Sequence, residues 1–253
     1  CYKYCENIDT FVDCNTNEET FGSLGLIPVA WGGVYDSTKN VICIEITQPN
    51  TEFKINNIDN NWIDYGTLTK CISKDETCTY EKPGRYFITC YGDFDVPKEC
   101  RKNVTQVCNL IDTCTFGKDG FMDYENLMYC CRITKNETGD YSNYFVNCKN
   151  LMNTPEIPNN AINLDRAFSG TKIAKPPIIP STVKSMTSCF DECRNLKEDT
   201  KILTTVENFS FAFRNCVNVE TFVGNWNNTY PKTTKKVAVY KGNSNGTIPK
   251  DWI

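Results

Sequence analysis

Histidine is absent from all 253 residues. That removes the base of the Ser-His-Asp and Cys-His catalytic arrangements and one of the two usual zinc-ligand types. No apolar run approaches the roughly 18 residues that a membrane-spanning helix needs, and the most apolar window, 23–31, is far shorter. Lysine and arginine total 27 against 31 acidic residues, a net charge of -4 and a pI near 5.1, and they form no basic cluster. Phosphate recognition concentrates Lys and Arg, so nucleic acid is excluded as a partner. No cofactor motif is present. No signal peptide is visible, and an opening on Cys1 fits a processed form.

The remaining routes to chemistry are thin. Residues 117–123 resemble a calcium loop only briefly. With Gly120 at the sixth position, Thr115 stands first and Asn126 last, where the loop needs carboxylates, so this is a turn. Sugar hydrolysis needs two facing carboxylates. No acidic pair is marked out for that, and Asp191-Glu192 reads as a solvated loop.

Cysteine, by contrast, is abundant, with sixteen residues. Its close pairs, Cys1/Cys5 and Cys189/Cys193, do not form a matched zinc set. Disulfides are the better expectation, each stabilising by about 2–4 kcal/mol, and they imply an oxidising, extracellular setting. The candidates are Cys1, Cys5, Cys14, Cys100, Cys108, Cys114, Cys130 and Cys131, plus a local bridge between Cys71 and Cys78 across a hairpin loop. The vicinal Cys130 and Cys131 are expected to point apart and join different partners. Asn-x-Ser/Thr sequons at Asn103, Asn136, Asn208, Asn227 and Asn245 are glycosylation candidates, Asn208 lying inside a repeat.

The chain is organised around a repeat. Phe145, Phe168, Phe190 and Phe213 fall 23, 22 and 23 residues apart. Cys148, Cys193 and Cys216 follow three of them by three positions, with Thr171 in the remaining unit. Leu151, Leu196 and Val219 come three further on, and Ile173 marks a one-residue slip. Apolar residues recur four before the phenylalanine (Leu164, Met186, Phe209) and seven before (Ala161, Val183, Val206). Ile157-Pro158 and Ile179-Pro180 open two units. A fixed period in the low twenties predicts a solenoid of short coils, each burying its apolar face on the next. Phe121, 24 before Phe145, reads as a degenerate first coil.

These residues, in FRNCVNVETF and VKSMTSCFDECRNL, resemble BspA-like leucine-rich repeats, whose pattern ends in A-F-x-x-C-x-x-L. The resemblance covers about 140–223. It implies a short strand and a loose segment per coil, repeat cysteines that fill the core as small thiols, and a place on cell surfaces. Cys193 and Cys216, one coil apart, are near enough to bridge. The expectation is that some repeat cysteines stay buried and free while Cys189 bonds elsewhere.

Earlier in the chain, 41–46 and 53–55 read as strands with turn signals at Gly32-Gly33 and Pro49-Asn50. The phrases WIDYG and CTYEKPGRYFITCYG resemble the polycystic-kidney-disease (PKD) type β-sandwich, although Thr67 stands where that family has Asp-Gly. That likeness implies an immunoglobulin-like domain of short antiparallel strands.

The expected organisation is mainly β: an N-terminal arm pinned by cysteines at 1–22, a PKD-like sandwich at 23–96, and a cysteine-rich connector and cap at 97–140. Repeats follow at 141–223, and a C-terminal cap at 224–253 carries a strand at 237–240 and Trp252 as anchor. The function expected is non-enzymatic: an extracellular or cell-surface protein acting in adhesion or assembly on a protein or glycan partner. The alternative is a self-assembling filament subunit, and the remote one a secreted glycan-active enzyme. Trp31, Trp226 and Trp252 are weak contact candidates.

Overall fold

A computed structural model of the chain describes residues 39–59, 63–66, 77–111, 114–244 and 246–253, with the backbone of short strands at 2–5, 10–13, 19–20 and 72–73. The secondary structure so described is β-strand apart from three short 3-10 turns, at Lys98–Asn103, Asn225–Asn227 and Lys250–Trp252. The expectations for Cys1, Cys14, Trp31, Cys71 and Asn245, and for the side chain of Cys5, lie outside the described residues.

Strands β1 (Tyr2–Cys5), β2 (Thr10–Asp13) and β3 (Glu19–Thr20) form a separate antiparallel sheet in the order β1-β2-β3. Next come β4 (Asn40–Ile46), β5 (Thr51–Lys54), β6 (Asn56–Asn57), β7 (Ile63–Asp64), β8 (Ile72–Ser73), β9 (Thr77–Tyr80), β10 (Gly84–Cys90), β11 (Phe94–Asp95), β12 (Val104–Asn109) and β13 (Tyr129–Cys130). Six of these make one sheet, β13-β12-β4-β10-β7-β8, while β5 pairs β9 and β6 pairs β11 as two-stranded ribbons. β-Branched residues supply the central strand β4, NVICIEI, in which Ile42, Ile44 and Ile46 are buried. Its first residue, Asn40, is also fully buried and is satisfied there. Its amide donates to the Gly92 carbonyl at 2.8 Å, and its carbonyl accepts the Ile111 N–H at 2.8 Å.

Two local features explain the WIDYG and EKPGRY phrases. Gly66 has φ +69, and a Cβ there would stand 2.4 Å from the Phe87 carbonyl, so only glycine fits beside β10. Pro83-Gly84 sends the chain from β9 to β10, which pair with different neighbours, β5 and β4. The sheet does not stop at residue 96. β12 pairs antiparallel with β4 and parallel with β13, so 97–140 supplies two strands to it.

From Phe116 onward the chain winds into coils. Isolated parallel bridges link Asp140, Asn163, Ser185, Asn208 and Lys235 in succession. Around each phenylalanine the coil-to-coil hydrogen bonds run forward: the N–H groups of Leu164, Arg166, Phe168 and Gly170 donate to the carbonyls of Ser185, Thr187, Cys189 and Asp191, one coil later, while at the coil openings Ile162, Lys184 and Glu207 donate back to Gly139, Ile162 and Lys184. Met186, Ser188, Phe190 and Glu192 repeat this on the next coil, and Phe209, Phe211, Phe213 and Asn215 on Lys235, Val237, Val239 and Lys241. Two residues per coil make every second N–H face forward, because they sit in the left-handed region on either side of the phenylalanine. They are Asn143/Asn147, Arg166/Gly170, Ser188/Glu192, Phe211/Asn215 and Ala238/Gly242. Residues 237–240, expected as a strand, are one of these coils, since the left-handed Ala238 breaks an extended run.

Inside, the periodic phenylalanines form one column. Phe121–Phe145, Phe145–Phe168, Phe168–Phe190, Phe190–Phe213 and Phe213–Tyr240 stand 5.8, 5.3, 5.6, 5.2 and 5.4 Å apart. Phe121 therefore opens the column, as its spacing suggested, and Tyr240 closes it. Trp252 is buried against Phe209 and Tyr240. At the other end Phe116 stacks on Phe94 at 4.3 Å and meets Phe121 edge-on, so sheet and coils share a continuous core.

Candidate functional site

The repeat cysteines have a defined position and partner. Cys148 Sγ donates to the Phe121 carbonyl at 2.9 Å, Cys193 Sγ to Phe168 at 3.0 Å and Cys216 Sγ to Phe190 at 2.9 Å. Each thiol thus caps the carbonyl of the preceding coil's phenylalanine. Thr171, the exception, turns its hydroxyl to its own coil's Phe168 carbonyl at 2.9 Å and stands 3.4 Å from Cys193 Sγ. Leu151, Leu196 and Val219 complete the buried ladder.

The disulfide expectation is corrected. Among the described residues Cys90, Cys100, Cys108, Cys114, Cys130, Cys131, Cys148, Cys189, Cys193 and Cys216 are unbridged thiols. Separate contacts hold several of them: Cys100 Sγ accepts the Lys54 N–H at 3.3 Å, and Cys130 Sγ donates to the Arg132 carbonyl at 3.1 Å. Neither Cys189 nor the Cys193/Cys216 pair is bridged. Burial pushes these thiols up, Cys193 to about 12 and Cys114 and Cys131 to about 11. At pH 8 a thiol with a pKa near 11 is ionised in on the order of one molecule in a thousand. Iodoacetamide is therefore expected to leave these ten thiols almost unlabelled in the native protein, Cys131 reacting first, while denaturant exposes all ten to it. Fast native labelling at any of the ten, or a disulfide-linked peptide containing one of them, would contradict this.

The sequons differ in access. Asn136 is buried, its amide donating to the Asp140 carbonyl at 3.1 Å. Asn103 donates to the Glu45 carbonyl at 3.0 Å, and Asn208 is a half-buried bridge residue. Asn227 is exposed.

Carboxylates are placed structurally. Asp191, expected in a solvated loop, is buried and grips Arg214 of the next coil through two contacts, one of 2.9 Å to Nε, while Glu192 stays exposed. Asp165 accepts the Ser185 hydroxyl and the Thr187 N–H at 2.6 and 2.7 Å. Asp199 accepts from Tyr240 Oη at 2.6 Å, Asn225 Nδ2 at 3.1 Å and the Val223 N–H at 2.8 Å. Desolvation raises its pKa, the Tyr240 bond opposing. Among the described residues no cluster of His, Cys, Asp or Glu fits a metal ion.

Clefts open where coil openings meet, one of them, of about 450 Å³, between residues 204–208 and 231–235. A cleft of about 650 Å³ is lined by Arg132, Thr134, Lys135, Pro158, Asn159 and Asn160. A neighbouring one, of about 320 Å³, lies between Thr154, Glu156, Ile157, Pro177, Ile178 and Pro180 and shares Asn159 with it. Ile178 is 89% exposed beside it, although it stands between Pro177 and Ile179 in an otherwise apolar phrase. Sequence reading missed the flank around Asn159. Its signals were the recurring Ile157-Pro158 and Ile179-Pro180 pairs and the phrase Pro-Pro-Ile-Ile-Pro, in which the first isoleucine has no place in the repeat pattern.

Compared with known proteins, the chain matches no protein-family model, no curated protein and no solved structure. Among the described residues no helix is long and apolar enough to cross a membrane.

Proposed function

We propose that this chain is a non-enzymatic extracellular protein, a PKD-like sandwich leading into a short leucine-rich-repeat solenoid, that works in adhesion or structural assembly. It recognises a protein or glycan through the flank of its coils. The observation that carries the reading is the joined pair of clefts around Asn159, with a cation pair at Arg132/Lys135 and a projecting apolar side chain at Ile178. A rigid scaffold with a concave, mixed polar and apolar edge suits surface recognition. The buried carboxylates support the non-enzymatic reading, because Asp191 is held by Arg214 and Asp199 by Tyr240 and Asn225. With the described thiols unbridged, the extracellular assignment rests on the repeat resemblance and on the exposed Asn227 sequon.

The test is binding of labelled protein to a glycan array and to a panel of surface proteins. Saturable binding is expected, reduced roughly tenfold by Ile178→Asp and by Asn159→Ala, a typical cost for one interface side chain, with melting unchanged. Binding indifferent to both variants, or cleavage of a bound glycan, overturns the proposal.

A further inference from the structure

The forward set of coil-to-coil bonds, beside the stacked rings, leaves donors in the last coil without acceptors. In the three coils before it, the N–H groups four and two before the phenylalanine and two after it each find a carbonyl on the next coil. In the final coil these groups belong to Lys236, Ala238 and Gly242, and none of them has a protein acceptor among the described residues. Only the Tyr240 N–H is taken, by the Trp252 carbonyl at 2.8 Å. The left-handed Ala238 and Gly242 turn the free N–H groups outward, the arrangement that makes runs of backbone amides bind anions and acceptors.

Charge has gathered at the same end. Residues 230–253 hold five lysines (Lys232, Lys235, Lys236, Lys241, Lys250) against Asp251, a net of +4, so the remaining residues carry -4 minus 4, or -8. Lys235 and Lys241 are exposed, and Lys236 lies over the Trp252 ring at 4.8 Å. The most acidic short stretch is at the other end of the chain: Glu6, Asp9, Asp13, Glu18 and Glu19 against Lys3 within residues 1–22. There β1 and β3 are the outer strands of the small sheet, and among the described residues each pairs only with β2. An outer strand offers a carbonyl at every second residue, about 6.8 Å apart, and invites pairing with another chain.

We propose that the open end of the final coil, at Lys236, Ala238 and Gly242, receives the acidic N-terminal strands of a second copy of this chain, joining copies head to tail. Strand carbonyls fill the ladder positions that the chain leaves empty, as in other strand-addition contacts. Opposite charges choose that pairing over tail-to-tail contact, where lysines meet lysines and donors meet donors. Because the two surfaces differ, the contact repeats without closing and builds a filament. The inference does not depend on a ligand binding the flank around Asn159.

The experiment uses the full chain, followed by light scattering and electron microscopy at about 20 mM and about 500 mM salt, which brackets strong and weak screening. The unaltered protein is expected to form linear multimers at low salt and monomers at high salt. Lys235→Glu with Lys241→Glu, and separately Asp13→Lys with Glu19→Lys, are each expected to cut the multimer fraction roughly tenfold. Mixing the two variants brings the unaltered lysine end of one, +4, against the unaltered acidic strands of the other, -4, while both altered ends are near neutral, so the mixture is expected to associate again, in pairs of copies. Near-UV circular dichroism checks that both variants are folded, and the salt response of the unaltered protein stands independently of them. A monomer at low salt, assembly insensitive to the lysine changes, or failure of the folded mixture to assemble each overturns the proposal. A monomer that still binds a glycan or surface protein leaves the flank reading standing.

Discussion

Phe190→Ala is expected to cost about 3–5 kcal/mol, the range for emptying a fully buried aromatic site. The residue is completely buried and stands in the middle of the column, 5.6 Å from Phe168 and 5.2 Å from Phe213, both nearly parallel to it. Truncation opens a cavity that the coils cannot fill by sliding, because the hydrogen bonds of Phe190 and Glu192 to Ala212 and Arg214 fix their separation. It also deletes two ring contacts, each contributing on the order of 0.5–1.5 kcal/mol. In a stack whose stability is shared between neighbours, a weakened central interface also lets the two sides unfold separately. Urea unfolding should therefore show a lower midpoint and a broadened or split transition. Phe222→Ala, at a half-buried site beside Trp226, serves as the mild comparison. A loss below about 1 kcal/mol at Phe190 is outside the range for such sites and would mean that the rings do not carry the stack.

The second large effect belongs to Asp199. Asp199→Ala is expected to destabilise by roughly 3 kcal/mol, because it strands the Tyr240 hydroxyl, the Asn225 amide and the Val223 N–H without their acceptor. The damage falls on the last coil, since Tyr240 ends the ring column and Asn225 also bonds to Tyr240 and to the Ile202 N–H. The pH dependence has a definite sign. Desolvation raises the Asp199 pKa above 3.8, so the folded state holds this proton more tightly than the unfolded chain. Its contribution is fully present below the unfolded pKa and is lost as the pH rises through the folded one. Removing the carboxyl should flatten that portion of the stability curve. Denaturation midpoints of both proteins from pH 3 to 7, roughly spanning the carboxyl range, measure this, and parallel curves would refute it.

How far the fold could be read from the sequence depended on what each position asks of its side chain. The phenylalanine column was legible because a buried ring must recur at each coil, and Phe121 was found by spacing alone. Tyr240 escaped because it follows Phe213 by 27 residues, the extra length holding the Asn225–Asn227 turn, and because Asn243 stands where a cysteine was expected. The left-handed positions were hidden for a different reason. Glycine signals that backbone only at Gly170 and Gly242, while Arg166, Ser188, Glu192 and Phe211 adopt it under the pull of the ladder. β12 was read as connector because its residues are buried on both faces and show no alternation. The flank around Asn159 carries only the recurring Ile157-Pro158 and Ile179-Pro180 pairs, which mark coil openings and not a cleft. It arises where loops of adjacent coils happen to meet, and no one-dimensional pattern marks such a junction. The cysteines misled most, since their number suggested bridges, whereas in the repeats the thiol serves as a small buried donor to a carbonyl.

The direction of the coil-to-coil hydrogen bonds has a mechanical consequence. They point along the axis on which the coils are stacked, and the chain enters the stack at one end and leaves near the other. Tension applied through the two ends therefore loads these interfaces in series, so they separate in succession instead of shearing together. Each rupture frees one coil of 22 to 27 residues, or roughly 75–95 Å of extended chain. Such a protein yields in steps, with each released coil relieving the load on those still joined, so a tether made from it lengthens before it lets go.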